Sequence, residues 1–151
     1  MAIKSLGYIG INSTDLDQWR EYGCQVMGLE DASERNGASD SSLYLKMDEH
    51  PYRITVQLAD SDSFGFCGWE TNNQQGFDEA VSSLNNAGIE VQMGSSELAA
   101  ARKVHQLASF SDPSGNKHEI YWGMISDFKR LVSPVGVRKF VTGQIGMGHA
   151  V

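Results

Sequence analysis

The 151 residues include only two cysteines, three prolines and twelve lysines or arginines. Each scarcity closes off a class of protein. Cys24 falls in a helical pattern and Cys67 in a strand pattern, so they make no disulfide framework and are expected as buried free thiols in a reducing cytoplasm. Twelve cationic residues against nineteen acidic ones leave a formal charge of −7, which argues against nucleic acid and anionic membrane surfaces as partners. No apolar run approaches the ~20 residues of a membrane span. The N-terminal stretch MAIKSLGYIGIN lacks a small-residue cleavage site, so no signal peptide is expected. No serine belongs to a readable serine–histidine–carboxylate arrangement. The nearest approach to a dinucleotide loop, Gly143-x-x-Gly146-x-Gly148, has the wrong spacing and precedes no helix.

What is present is ordinary for a globular chain: 40% hydrophobic and 21% charged residues, at a length that buries roughly 68–70% of its unfolded surface. Hydrophobic periodicity then reveals a repeat. Leu6 to Ile11 reads as a strand. Ser13-Thr14 is placed to cap a helix that has Asp15 and Asp17 in its first turn and Leu16, Trp19, Val26 and Met27 at helical spacing, ended by Gly28. A weak strand over 29–35 and a polar loop over 36–42 follow. Leu43, Leu45 and Met47 alternate with Tyr44 and Lys46, and after a turn near Pro51, Ile54, Val56 and Leu58 alternate again as a hairpin. The succession β-α-β-β-β then recurs. It has a strand over 64–69, a helix capped by Asn72 or Asn73 and closed by Gly88, and alternation through Ile89, Val91 and Met93. A short helical excursion over 95–103 precedes a hairpin whose turn is Asp112-Pro113-Ser114-Gly115. Gly28 and Gly88 lie 60 residues apart, an internal period that outranks any single motif.

The opening strands align as Leu6-Gly7-Tyr8-Ile9-Gly10, Phe64-Gly65-Phe66-Cys67-Gly68 and Met147-Gly148-His149-Ala150-Val151. A third unit therefore starts at the end of the chain, with His149 in the position held by Tyr8 and then Phe66. Charge marks the junction: residues 1–125 carry 8 Lys/Arg and 18 Asp/Glu, whereas 126–151 carry four cations and one acid. The expected organisation is α+β. It comprises an N-terminal domain over 1–125 built of modules at about 1–62 and 63–125, a linker over 126–144, and the first strand of a truncated domain over 145–151.

Paired βαβββ units resemble the vicinal oxygen chelate (glyoxalase-like) superfamily. Ser5-Leu6-Gly7-Tyr8, Leu43-Tyr44-Leu45-Lys46-Met47-Asp48, Asp112 to Asn116 leading to His118-Glu119-Ile120-Tyr121-Trp122-Gly123, and above all Phe140-Val141-Thr142-Gly143 followed by Gly146-Met147-Gly148-His149 resemble the N-terminal half of type I extradiol ring-cleavage dioxygenases. Gln144-Ile145 departs from that pattern, where an acidic residue and then glutamine are usual. The likeness is nearest to enzymes for dihydroxybiphenyl, dihydroxynaphthalene and steroid-derived catechols. It implies an Fe(II) enzyme that opens a bulky catechol with O2, with His149 as first metal ligand and Val151 lining the substrate pocket, working as a cytoplasmic homo-oligomer. It also implies that this chain alone holds no stable iron. By the same correspondence a site in the first two units would draw on Tyr8, Phe66 and Glu119. Phenylalanine cannot ligate, so Glu119 is expected to be an inward carboxylate paired structurally, with Tyr8 a plausible partner. His50, His105 and His118 are expected at the surface. The alternative is a stand-alone, metal-free small-molecule binding module, its pocket lined by Tyr8, Phe66 and Trp69. A glyoxalase-like metalloenzyme assembled across a dimer is disfavoured by the missing histidines at positions 8 and 66.

Overall fold

A computed structural model of the chain describes residues 3–148, and these form a mixed α+β architecture in two units. The first unit holds Tyr8–Gly65 and Ser126–Thr142; the second holds residues 3–7, Phe66–Ile125 and residues 143–148. Strand β1 (Ile3–Ser13) begins in the second unit and ends in the first.

In the first unit β1 leads into helix α1 (Leu16–Glu21), a π turn (Tyr22–Val26), β2 (Glu30–Asp31), α2 (Ser33–Asn36), β3 (Ser42–Lys46) and β4 (Ile54–Leu58). β1 pairs with β4 in parallel, Ile9 opposite Ile54 and Ser13 opposite Leu58. β4–β3 and β3–β2 are antiparallel. A parallel first and last strand requires a crossover, and α1 supplies it. The helix cap is Asp15, whose carboxylate accepts from the Gln18 N–H at 2.9 Å. Ser13 and Thr14, placed by the sequence as caps, are held instead by the Asp62 carboxylate, which accepts from Ser13 Oγ at 3.0 Å and from the Thr14 N–H at 2.8 Å. Met27 donates to the Tyr22 carbonyl at 3.0 Å, and Gly28 then reverses the chain at φ 76°. The strand expected over 29–35 narrows to two residues because Ser33 N–H turns back onto Asp31 Oδ1 at 2.9 Å. Leu29, Leu43, Leu45, Tyr52 and Val56 form the buried interior.

The second unit repeats the scheme with β5 (Ser63–Thr71), α3 (Gln74–Asn86), β6 (Gln92–Met93), α4 (Ser96–Arg102), β7 (Gln106–Ser111) and β8 (Lys117–Trp122). β5 and β8 run parallel, with Cys67 opposite His118, while β8–β7 and β7–β6 are antiparallel. Asn73 caps α3 by accepting from the Gly76 N–H at 2.9 Å, and Gly88 closes it at φ 79°. Phe77, Ala80, Ala108 and Ile120 form the core, with Trp69, Val81, Leu84 and Trp122 against it. Asp112 organises the β7–β8 turn, accepting from the Ser114 N–H at 2.8 Å and the Asn116 N–H at 2.9 Å. Among the described residues no helix is long and apolar enough to cross a membrane.

Residues 126–142, part of the expected linker over 126–144, run along the first unit as a pinned strap. Asp127 N–H donates to the Glu49 carbonyl at 2.7 Å, and Val132 N–H donates to Glu30 Oε2 at 2.8 Å. Lys46 Nζ donates to Asp127 Oδ2 at 2.7 Å. Strand alternation points Lys46 outward, yet it is 0% exposed because the strap covers it. Of residues 145–151, expected to open a third strand, the described part holds the end of a 3-10 turn (Gly143–Ile145) and a parallel bridge from Gly146 to Leu6.

Candidate functional site

Glu119 lies on β8 with its side chain 7% exposed. A carboxylate that far from water needs a positive or donating partner. Arg102, from the last turn of α4, meets it bidentately: Nε is 2.9 Å from Oε2 and Nη2 is 2.9 Å from Oε1. The same guanidinium lies 4.0 Å from the centroid of the Phe66 ring, a cation–π contact. α4 is itself fixed by Ser95, whose hydroxyl accepts from the Leu98 N–H at 3.2 Å. Sequence reading placed Glu119 on an inward face but not Arg102, whose only signal was a cation at the end of a short helix. A metal ion does not fit this place. Phe66 offers no donor atom, and a guanidinium already neutralises the carboxylate.

His118, expected at the surface, lies on the β8 face opposite Glu119 but is largely covered. It shares a face of β8 with Ile120, and that face is covered by α3 rather than by water. Its side chain is 18% exposed and lies parallel to Phe110 at 5.1 Å between ring centroids. Nδ1 accepts from Trp69 Nε1–H at 3.1 Å and lies 3.0 Å from Cys67 Sγ, while Nε2 is 3.4 Å from Asp112 Oδ2. The arrangement superficially resembles a cysteine–histidine–aspartate triad, but its electrostatics are wrong for one. Burial pushes the Cys67 thiol up to about 11, with the charges of Glu119 and Asp112 in the same direction, so the thiolate nucleophile is suppressed. The Asn116 side chain and backbone N–H, with His118 and Ser114, hold Asp112 down to about 2. This is a structural bracket for the β7–β8 turn. Cys24 and Cys67 are both free and buried.

His105 is exposed and stacked on Trp122 at 4.7 Å. His50 lies with Asp48 and Glu49 in the one His/Cys/carboxylate group among the described residues compact enough to hold a metal, its ligating atoms within 4.8 Å of one another. That group is already spoken for. Arg53, 1% exposed, binds Asp48 through Nε at 2.9 and 3.0 Å, and the His50 N–H donates to Asp48 Oδ1 at 3.0 Å. Burial acts to raise the Asp48 carboxyl, but His50 and Arg53 outweigh it and hold the group well below the usual carboxylate range.

The aromatic pocket of the alternative reading finds its faces taken. Arg102 covers Phe66, His118 stacks on Trp69 at 6.3 Å, and Tyr8 is 0% exposed against Tyr52 at 5.6 Å. A shallow groove of about 610 Å³ in the first unit is lined by Asp17, Arg20, Cys24, Glu30, Asp31 and Val132, among others. Four of its charged residues are paired: Arg20 with Asp17 and Asp31, and Glu30 with Arg35 and the Val132 N–H. His149 and Val151 lie outside the described residues. The approach to them is described: Met147 N–H donates to the Leu6 carbonyl at 3.0 Å, immediately after the Gly146 bridge.

With these geometries in hand, the comparisons are specific. Residues 6–58 match the family model for dihydroxybiphenyl dioxygenase BphC, domain 1. Over its full length the chain is 40% identical to an iron-dependent extradiol dioxygenase of Rhodococcus jostii (strain RHA1), of which it covers 49%. It is 38% identical to a biphenyl-2,3-diol 1,2-dioxygenase of Sphingomonas paucimobilis, of which it covers 50%. The crystal structure of a catechol 2,3-dioxygenase matches 97% of the chain at a TM-score of 0.89 and 34% identity, over 49% of that protein. Over its full length the chain is similar to extradiol dioxygenases. It spans about half the length of the curated relatives it matches. The described residues contribute fold, packing and the Leu6–Met147 contact.

Proposed function

We propose that this chain is the N-terminal, supporting half of an Fe(II)-dependent extradiol dioxygenase that cleaves a bulky, biphenyl-, naphthalene- or steroid-derived catechol with O2. The observation that carries the reading is the 40% identity running through the whole chain at about half the relative's length. In this reading residues 1–125 are paired βαβββ modules, 126–144 is the linker, and 145–151 begins the catalytic domain. His149 provides the first iron ligand, and Val151, two residues on and on the same side of a strand, lines the substrate pocket. Iron(II), when bound, supplies the Lewis-acid and redox chemistry through which a catechol reacts with dioxygen.

The chain's own residues hold that apparatus in place. The strap fastens to the first unit through Asp127 and Val132, and the Leu6 carbonyl takes the Met147 N–H two residues before His149. One imidazole is short of the three ligands such a site needs, so this chain alone retains no iron. The full-length enzyme works in the cytoplasm as a homo-oligomer. The test is the reading frame: it continues past Val151 for about as many residues again and brings a second histidine and a glutamate as ligands. A stop codon directly after Val151 would sink the proposal.

A further inference from the structure

We propose that the groove face of the first unit is the seat of a second copy of this chain. The two copies are joined about a two-fold axis, so that the strap cations of each enter the acidic groove of the other. The rim of the groove is apolar and uncovered: Tyr22, Val26, Val132 and Val135 are 46% to 68% exposed. Their place on the rim follows from the chain. Val132 lines the groove itself, while Tyr22, Val26 and Val135 each directly follow a lining residue, namely Glu21, Gln25 and Pro134. An exposed apolar patch set beside charged groups marks a binding surface, and tyrosine is among the residues such surfaces favour.

Charge says which partner fits. Four carboxylates and one guanidinium line the groove, and Arg35 adds one cation beside Glu30, so the groove keeps a net negative charge. Glu21 is the acid left over, with no ion pair among the described residues. Lys129 and Arg130 are exposed and make no ion pair among the described residues either. They precede Val132 by three and two residues, which keeps them within about 11 and 7 Å of it along the backbone. One face thus carries an unpaired acid, an apolar rim and two unpaired cations. Such a face is complementary to itself, as a two-fold interface requires, because every contact is then made twice. A partner of one charge sign would satisfy half of it and leave the other half facing like charge. The inference rests on the homo-oligomer reading above only in giving that oligomer a surface; iron does not enter.

The experiment is sedimentation velocity of this chain, free of metal, across the micromolar range. The mass is expected to rise from monomer toward dimer with concentration. Tyr22→Ser/Val26→Ser should weaken association about tenfold or more. Glu21→Lys alone and Lys129→Glu/Arg130→Glu alone should do the same, because each sets like charges together in a pair of identical copies. An equimolar mixture of these two charge variants should recover the dimer, since both contacts then join opposite charges. All the substituted side chains are exposed, so an unchanged Tm verifies that each variant folds. A chain that stays monomeric throughout would overturn the proposal, as would a mixture no better associated than either variant alone. So would protection of the Tyr22–Val26 amides from hydrogen exchange that is gained in the extended protein and independent of its concentration. The rest of the polypeptide would then be what covers the face. A stop codon after Val151 would leave the sedimentation results unchanged, so this inference and the enzyme reading fail separately.

Discussion

Lys46 and Asp127 are 81 residues apart in the chain and 2.7 Å apart in space. The lysine is fully buried, and Arg35 stands 3.6 Å from the same carboxylate and 2.7 Å from Glu30. One carboxylate therefore gathers a strand lysine, a helix arginine and the strap. Asp127→Asn keeps the shape and removes the charge that the buried ammonium faces. It is expected to cost about 2–3 kcal/mol in urea denaturation and to speed hydrogen exchange at Val132. Lys4→Ala, which removes the more exposed pair with Glu70 at 3.1 Å, is expected to cost no more than about 1 kcal/mol. Equal costs for the two would contradict the strap account.

Acid should loosen the first unit through its buried carboxylates. Burial raises the carboxyls of Asp31, Asp48 and Asp127, but hydrogen bonds and cations outweigh it and hold all three below their ordinary value of 3.8. Depressed acids contribute stability that is complete above 3.8 and is lost as pH falls through the folded values. Denaturation midpoints are expected to fall steeply below about pH 4. A midpoint unchanged between pH 5 and pH 2 would contradict these ion pairs.

Gly146 is irreplaceable by local sterics. Its φ is 62°, and a Cβ there would stand 2.3 Å from the Leu6 carbonyl oxygen and 2.8 Å from Ser5 Oγ. Gly146→Ala should break the Leu6–Met147 hydrogen bond at a cost of about 2 kcal/mol. The readout is faster exchange of the Met147 amide with α3 protection unchanged. Retained protection at Met147 would show that the approach to His149 is not fixed by Leu6.

Thiol chemistry follows from burial. With its thiol pushed up to about 11, Cys67 is roughly a thousandth ionised at pH 8. A disulfide reagent should label neither cysteine rapidly in the native protein and both in denaturant. Fast native labelling at Cys67 would contradict the His118–Trp69–Cys67 bracket.

Local and periodic features were legible in the sequence. The 60-residue period from Gly28 to Gly88 corresponds to two helix ends at φ 76° and 79°, and Asn73 and the Asp112 turn do what their residue types favour. What was not legible depends on partners far along the chain. Asp15 caps α1 because Ser13 and Thr14 are held by Asp62, 48 to 49 residues away. Nothing in β3 reveals the strap that covers Lys46. His118 was read as facing water because strand alternation says which side a residue faces, but not that α3 lies there. Arg102 was missed because a helix-end cation does not reveal its carboxylate, 17 residues on.

The most direct test of the central claim is anaerobic Fe(II) reconstitution of this chain and of its extended reading frame, each desalted and given 2,3-dihydroxybiphenyl and O2. The extended protein should retain about one iron per chain and form yellow ring-opened product, and His149→Ala in it should abolish both. The short chain should retain no iron and form no product. Iron retention and yellow product from the short chain alone would contradict the account.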